Sequence, residues 1–95
     1  MVEYQQQQLR LTGCIDYHNA EQVYQKGWQL LQQQQFPVVV NLSGLQQSST
    51  LVLAVLIRWL RQTPQAKGLV LTEVPQQMLK IIQACHLEQT LQIQS

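Results

Sequence analysis

Charge is scarce in this chain of 95 residues. Six Lys and Arg and five Asp and Glu make up 12% of it and leave a formal net charge of +1, against about a quarter charged in an average domain. The cations Arg10, Lys26, Arg58, Arg61, Lys67 and Lys80 are scattered, and only Arg58 and Arg61 are spaced to share a helix face. A nucleic-acid backbone needs them gathered on one surface, so no nucleic-acid partner is expected. Cysteine is as sparse. Cys14 and Cys85 stand far apart with no Cys-x-x-Cys spacing, which supports neither a disulfide framework nor a zinc site, and both are expected to be small buried thiols. Long apolar runs are missing too. The longest, Leu51 to Ile57, falls far short of the roughly 20 residues that span a bilayer, and Arg58 ends it. The opening MVEYQQQQLRL has no basic n-region and no apolar h-region, so no secretory leader is expected and the chain is placed in the cytoplasm.

Catalytic groupings are absent as well. Asp16, Glu73 and Glu88 share no spacing, Gly44 is isolated with no lysine at the distance of a phosphate loop, and His18 and His86 lie in a loop and at a helix end. No carboxylate pair, nucleophile with a base or metal cluster emerges. The expectation is a protein that is not an enzyme, with no metal and no cofactor, and with both histidines at the surface or at caps.

What the chain has in abundance is glutamine, about a fifth of its residues, including the runs Gln5 to Gln8 and Gln32 to Gln35. Each run abuts a periodic segment and reads as a solvated edge. Val2, Tyr4, Leu9 and Leu11 alternate on either side of the first run, predicting a hairpin that ends at Gly13. From Asn19, a plausible N-cap, Ala20, Val23, Tyr24, Gly27, Leu30 and Leu31 recur at helical spacing, predicting a helix to about Gln34. Phe36 to Val40, continuing to Asn41 and Leu42, is nearly all apolar, as in a central strand covered on both faces. Ser48, Ser49 and Thr50 offer hydroxyl caps to a second helix from Leu51 to Leu60. Thr63, Pro64 and Gly68 bracket a loop before a strand at Leu69 to Leu71. Pro75 suits the first turn of a third helix carrying Met78, Leu79, Ile81, Ile82 and Cys85, and Leu91 and Ile93 predict a last edge strand. The order β-β-α-β-α-β-α-β predicts an α/β fold: one domain over residues 1–95, with a mixed, mostly parallel sheet of about five strands and three or more helices.

The second helix carries more apolar surface than a sheet needs. On a wheel at 100° per residue, Val52, Leu53, Val55, Leu56, Ile57, Trp59 and Leu60 fill an arc of roughly 200°. One reading gives the surplus to a partner; the plainer one covers it with the sheet and the neighbouring helix. The remaining wedge holds Ala54, Arg58 and Arg61 on the side reached from Thr50, with Ile57 at its border. The residues expected to contact a partner are therefore Ser49, Thr50, Leu51, Ala54, Ile57, Arg58 and Arg61, the mixed composition that interface rims favour.

The stretch from Val38 to Thr50, VVVNLSGLQQSST, followed by an apolar helix, resembles the central signature of STAS domains. In that family a strand ends in Asp-Leu-Ser and an Asp-Ser or Asp-Thr pair opens the helix; Asn41-Leu42-Ser43 and Ser49-Thr50 stand in those places. Leu9 to Asp16, LRLTGCID, is similar to the family's second strand and Gly-x-Leu-Asp turn, and Met78, Ile82 and Leu87 to its third helix. Two departures are visible: Ser49 replaces the usual acid, and Leu51 and Val52 replace small glycines. The likeness is greatest to the small cytoplasmic STAS subunits of bacterial Mla phospholipid transporters, which carry a threonine at the matching position. That resemblance implies a regulatory subunit docked on the ATPase subunit of an inner-membrane ABC complex that maintains outer-membrane lipid asymmetry. Its contact with the membrane would be indirect, through the complex. The alternative the family offers is an anti-sigma factor antagonist, phosphorylated at Ser49 or Thr50 by an anti-sigma factor kinase.

Overall fold

The structure is a computed structural model that describes residues 2–35, 37–63 and 68–94. The chain opens with β1 (Val2–Gln5) and β2 (Gln8–Leu11), an antiparallel pair joined by Gln6 and Gln7. Both loop residues have positive φ, 54° and 66°, the conformation a two-residue hairpin loop takes to match strand twist and one that Asn-Gly supplies more readily than Gln-Gln. Then follow α1 (Ala20–Leu31), β3 (Val38–Asn41), α2 (Thr50–Gln62), β4 (Leu69–Thr72), α3 (Gln76–Ala84) and β5 (Gln92–Gln94). The predicted element order is the observed one. Phe36 and Pro64, assigned above to a strand start and a loop, lie outside the described residues, as does Lys67.

The strands form one sheet in the order β1-β2-β3-β4-β5, parallel from β2 onward. Crossovers between parallel strands of one sheet share a single hand almost without exception, so three that each step to the next strand in the same direction put all three helices on one face. Accordingly α1 packs on β1, β2 and α2, and α2 on α3. Burial alternates along the strands with the two-residue period of the pleat. Leu9, Leu11, Val38, Val40, Leu69 and Leu71 are buried under the helices, while Gln8, Arg10, Val39, Asn41, Val70 and Thr72 are only half-buried on the opposite face. β3 is central, as expected, but it is covered on one face alone, because no crossover returns over the other side. There Asn41 Nδ2 donates to Gln8 Oε1 at 3.0 Å, and the enclosed Nε of Arg10 has no hydrogen-bond partner.

Two local expectations are corrected. The first helix ends at Leu31 rather than near Gln34; beyond it the backbone tightens to three-residue bonds, Gln33 N to Leu30 O and Gln34 N to Leu31 O. The cysteines are not buried: Cys14 is half-buried and Cys85 is exposed. Cys85 sits just past α3 at its C-cap, so the period that buries Met78 and Ile82 no longer governs it. The next residue, His86, turns left-handed at φ 58°, with His86 N donating to Gln83 O and Leu87 N to Ile82 O. That pair of bonds closes the helix end in a Schellman motif, with a histidine where glycine is usual.

Candidate functional site

The loops at the carboxyl ends of the parallel strands carry the candidate residues, the edge where open α/β sheets place their sites. Two loops are tied together there. Gly13, left-handed at φ 83°, donates its N–H to Gly44 O at 3.0 Å and accepts from Gln46 N at 2.9 Å. Beside it, Cys14 Sγ donates to Gln47 Oε1 at 3.1 Å. The glycine is needed because only it holds that φ without a Cβ penalty while presenting both backbone groups sideways.

From this ledge the chain enters α2. Ser49 is extended at φ −157° and ψ 164°, and its Oγ accepts from Val52 N at 3.2 Å. Its hydroxyl is therefore committed to capping the helix. Thr50, the first helical residue, is exposed, as are Ala54, Arg58 and Arg61; Ser49, Leu51 and Ile57 are half-buried. Residues four and three apart share a helix face, so Thr50, Ala54, Arg58 and Arg61 form one outward ridge of about 16 Å at 1.5 Å per residue. Leu51 and Ile57 flank it.

The apolar surplus does not reach that ridge. Val52, Leu53, Val55, Leu56, Trp59 and Leu60 are all buried, leaving only Ile57 of the wide arc half-exposed. The plainer reading of the arc is therefore correct. α2 is the middle of three helices, with α1 on one side, α3 on the other and the sheet beneath, so three surfaces consume what one sheet would not. Trp59 is at the centre: it is 0% exposed, and its Nε1 donates to Tyr24 O at 3.0 Å.

Arg58 has an intramolecular partner that the sequence did not disclose. Its Nη1 lies 2.7 Å from Glu21 Oε2 and its guanidinium stacks over Tyr24, 3.7 Å from the ring centroid. The hydrogen bond to Arg58, helped by one from Gln25, holds the Glu21 carboxyl below the ordinary glutamate range, and the same bond raises the Arg58 guanidinium. In sequence Glu21 was only a first-turn acid of α1; its relation to Arg58 depends on how α1 and α2 cross. Among the described residues Arg61 meets no carboxylate within ion-pair distance. The ridge thus presents a hydroxyl, a methyl, a tethered guanidinium and a free one. Hydroxyl, methyl and guanidinium groups on one exposed face are the kinds of contact a protein surface takes. Among the described residues no three potential ligands gather around a metal position, and no helix is long and apolar enough to cross a membrane.

A five-stranded sheet opened by a hairpin, helices on one face and a hydroxyl-bearing loop leading into the second of them define a STAS domain. The chain belongs to the family described as "Mlab, STAS domain", whose model matches residues 2–93. Two solved structures resemble it over their full length. Both are chains of the Acinetobacter MlaFEDB complex in ATP-bound form, one in the Vtrans1 and one in the Vtrans2 conformation. The first is 49% identical and the second 50%, each with a TM-score of 0.91, covering 99% of this chain and 100% of the other. No curated protein sequence matches the chain.

Proposed function

We propose that this protein is a non-catalytic accessory subunit of a phospholipid-transporting ABC complex and that it binds the ATPase subunit through the α2 ridge. On this reading it sits on the cytoplasmic side of the inner membrane, and its contact with lipid is indirect. The observation that carries the reading is the near-complete likeness, at about half identity, to a chain of the ATP-bound Acinetobacter MlaFEDB complex. The position of Thr50 adds to it: the residue is exposed while the neighbouring Ser49 hydroxyl is occupied by the helix cap. The ridge of Thr50, Ala54, Arg58 and Arg61, with Ser49, Leu51 and Ile57 at its margin, is the proposed contact.

Co-purification with the ATPase subunit tests it. A carboxylate placed on a contact that is desolvated in the complex costs about 2 kcal/mol or more, roughly thirtyfold in Kd. Thr50→Glu and Arg61→Glu are each expected to lose the ATPase and to lower transport. Wild-type yield of the complex with both variants would refute this docking face.

A further inference from the structure

Among the described residues Tyr17 is the one large hydrophobic side chain that stands in solvent, 92% exposed. It is not held out by a slack loop. Asp16 Oδ1 accepts from His18 N at 2.9 Å and from Asn19 N at 3.0 Å, while Asn19 Oδ1 accepts from Asp16 N at 2.9 Å. Asn19 Nδ2 in turn donates to Cys14 O at 3.0 Å. Two side chains on either side of Tyr17 thus fasten each other's backbone. A loop so fastened loses little further freedom when a partner closes on it, and that loss is what usually offsets the gain from burying an aromatic ring.

The same loop is joined to the proposed docking ridge at two places. Upstream of Tyr17, Gly13 and Cys14 bond to Gly44, Gln46 and Gln47 of the segment that leads into α2. Downstream, Glu21 holds Arg58, the third residue of the ridge. The loop that displays Tyr17 is therefore tied on both sides to the ridge or its approach, and a partner broad enough to cover Ala54 and Arg58 and reach past Glu21 would meet it.

We propose that Tyr17 is the aromatic anchor of this interface, seated in an apolar socket of the same protein that covers the α2 ridge; the proposal rests on the docking reading above. Tyrosine is among the residues that dominate binding energy at protein interfaces, where its ring is enclosed and its hydroxyl keeps a polar partner. The socket is accordingly aliphatic-walled with a hydrogen-bond acceptor at its mouth, and a carboxylate of the partner meets the free guanidinium of Arg61.

The test is titration of the full-length protein onto the purified ATPase subunit, with Tyr17→Ser, Tyr17→Phe and Thr50→Glu side by side. Tyr17→Ser is expected to raise Kd about thirtyfold or more, Tyr17→Phe only a few-fold, and neither to move the melting temperature, because the side chain touches little of its own fold. Binding of Tyr17→Ser within about twofold of wild type, with Thr50→Glu impaired, overturns the anchor and leaves the docking reading standing. Wild-type binding by both overturns the two together. Impairment of Tyr17→Ser alone upholds the anchor and removes Thr50 from the footprint.

Discussion

Gly27 occupies the middle of α1, where glycine is about 0.5–1 kcal/mol less favourable than alanine. The reason for it lies on the next helix. A Cβ at position 27 would stand 2.1 Å from Cζ2 of Trp59 and under 3 Å from two further ring atoms. The ring cannot retreat, since it is wholly buried and held to Tyr24 O by its indole N–H. Overpacking of this kind costs typically about 1–3 kcal/mol, and losing the indole hydrogen bond adds about 1. Those terms outweigh the gain in helix propensity. Gly27→Ala is expected to destabilise the domain by about 2 kcal/mol, a fall of roughly 10 °C in Tm for a chain of this size, measurable by thermal melting. Alanine at 27 melting at or above wild type would show that propensity wins. His86 poses the opposite case. It bears a Cβ in a left-handed Schellman position that glycine takes freely, so His86→Gly should raise stability by about 0.5–1 kcal/mol, visible as a higher urea midpoint at unchanged m.

The pairing of α1 with α2 shows how an exposed charge can serve the fold while lying on the proposed docking face. Arg58 belongs to the ridge by spacing, yet Glu21 and Tyr24 of α1 hold its guanidinium. It orients the ridge more than it reaches out from it. Because the Glu21 carboxyl titrates below its ordinary range when folded, the clamp contributes fully above that range and is lost as pH falls through the lowered value. Glu21→Gln should therefore melt below wild type at neutral pH, and the gap should close in acid. A gap independent of pH would mean that the ion pair adds nothing to the hydrogen bond. Both side chains are well exposed, at 47% and 65%, so the effect is small and weakens with salt.

At the scale of the whole molecule, the proposed docking makes folding and binding separable, and Thr50 is the residue at which to test it. α2 has no acidic residue in its first turn, so a carboxylate at Thr50 meets an uncompensated helix N-terminus, worth about 0.3–1 kcal/mol in favour of the fold. Thr50→Glu should thus melt no lower than wild type even as it loses the ATPase. A lower melting temperature would mean that Thr50 holds the fold rather than the partner.

Much of this architecture was legible in the residues. Leu9 and Leu11, Val23 and Leu31, Val38 and Val40, Met78 and Ile82 each keep the period of the element they belong to, and the side chains those periods point inward are buried. The outward ridge was legible for the same reason, since Thr50, Ala54, Arg58 and Arg61 repeat with the helix. What could not be read depends on how elements meet. The open face beside Val39 follows from the direction of three crossovers, the fate of the apolar arc from α2 lying between two helices, and the partner of Arg58 from a crossing of two segments far apart in sequence. Cys85 escaped the period by a single residue. Tyr17 carried no signal, because an aromatic residue in a loop is as readily tucked in as displayed.

With the helices on one side, the far side of the sheet carries Glu3, Gln5, Gln92 and Gln94 to the water and leaves Gln8, Arg10, Val39, Asn41, Val70 and Thr72 half-covered. Such a surface gains little from stacking against a like one, for around Val39 and Val70 it is made of amides and charges that would give up hydration. The molecule therefore has a front that can be gripped and a back that stays wet, and whatever holds it can do so from one direction without inviting a second copy onto the other.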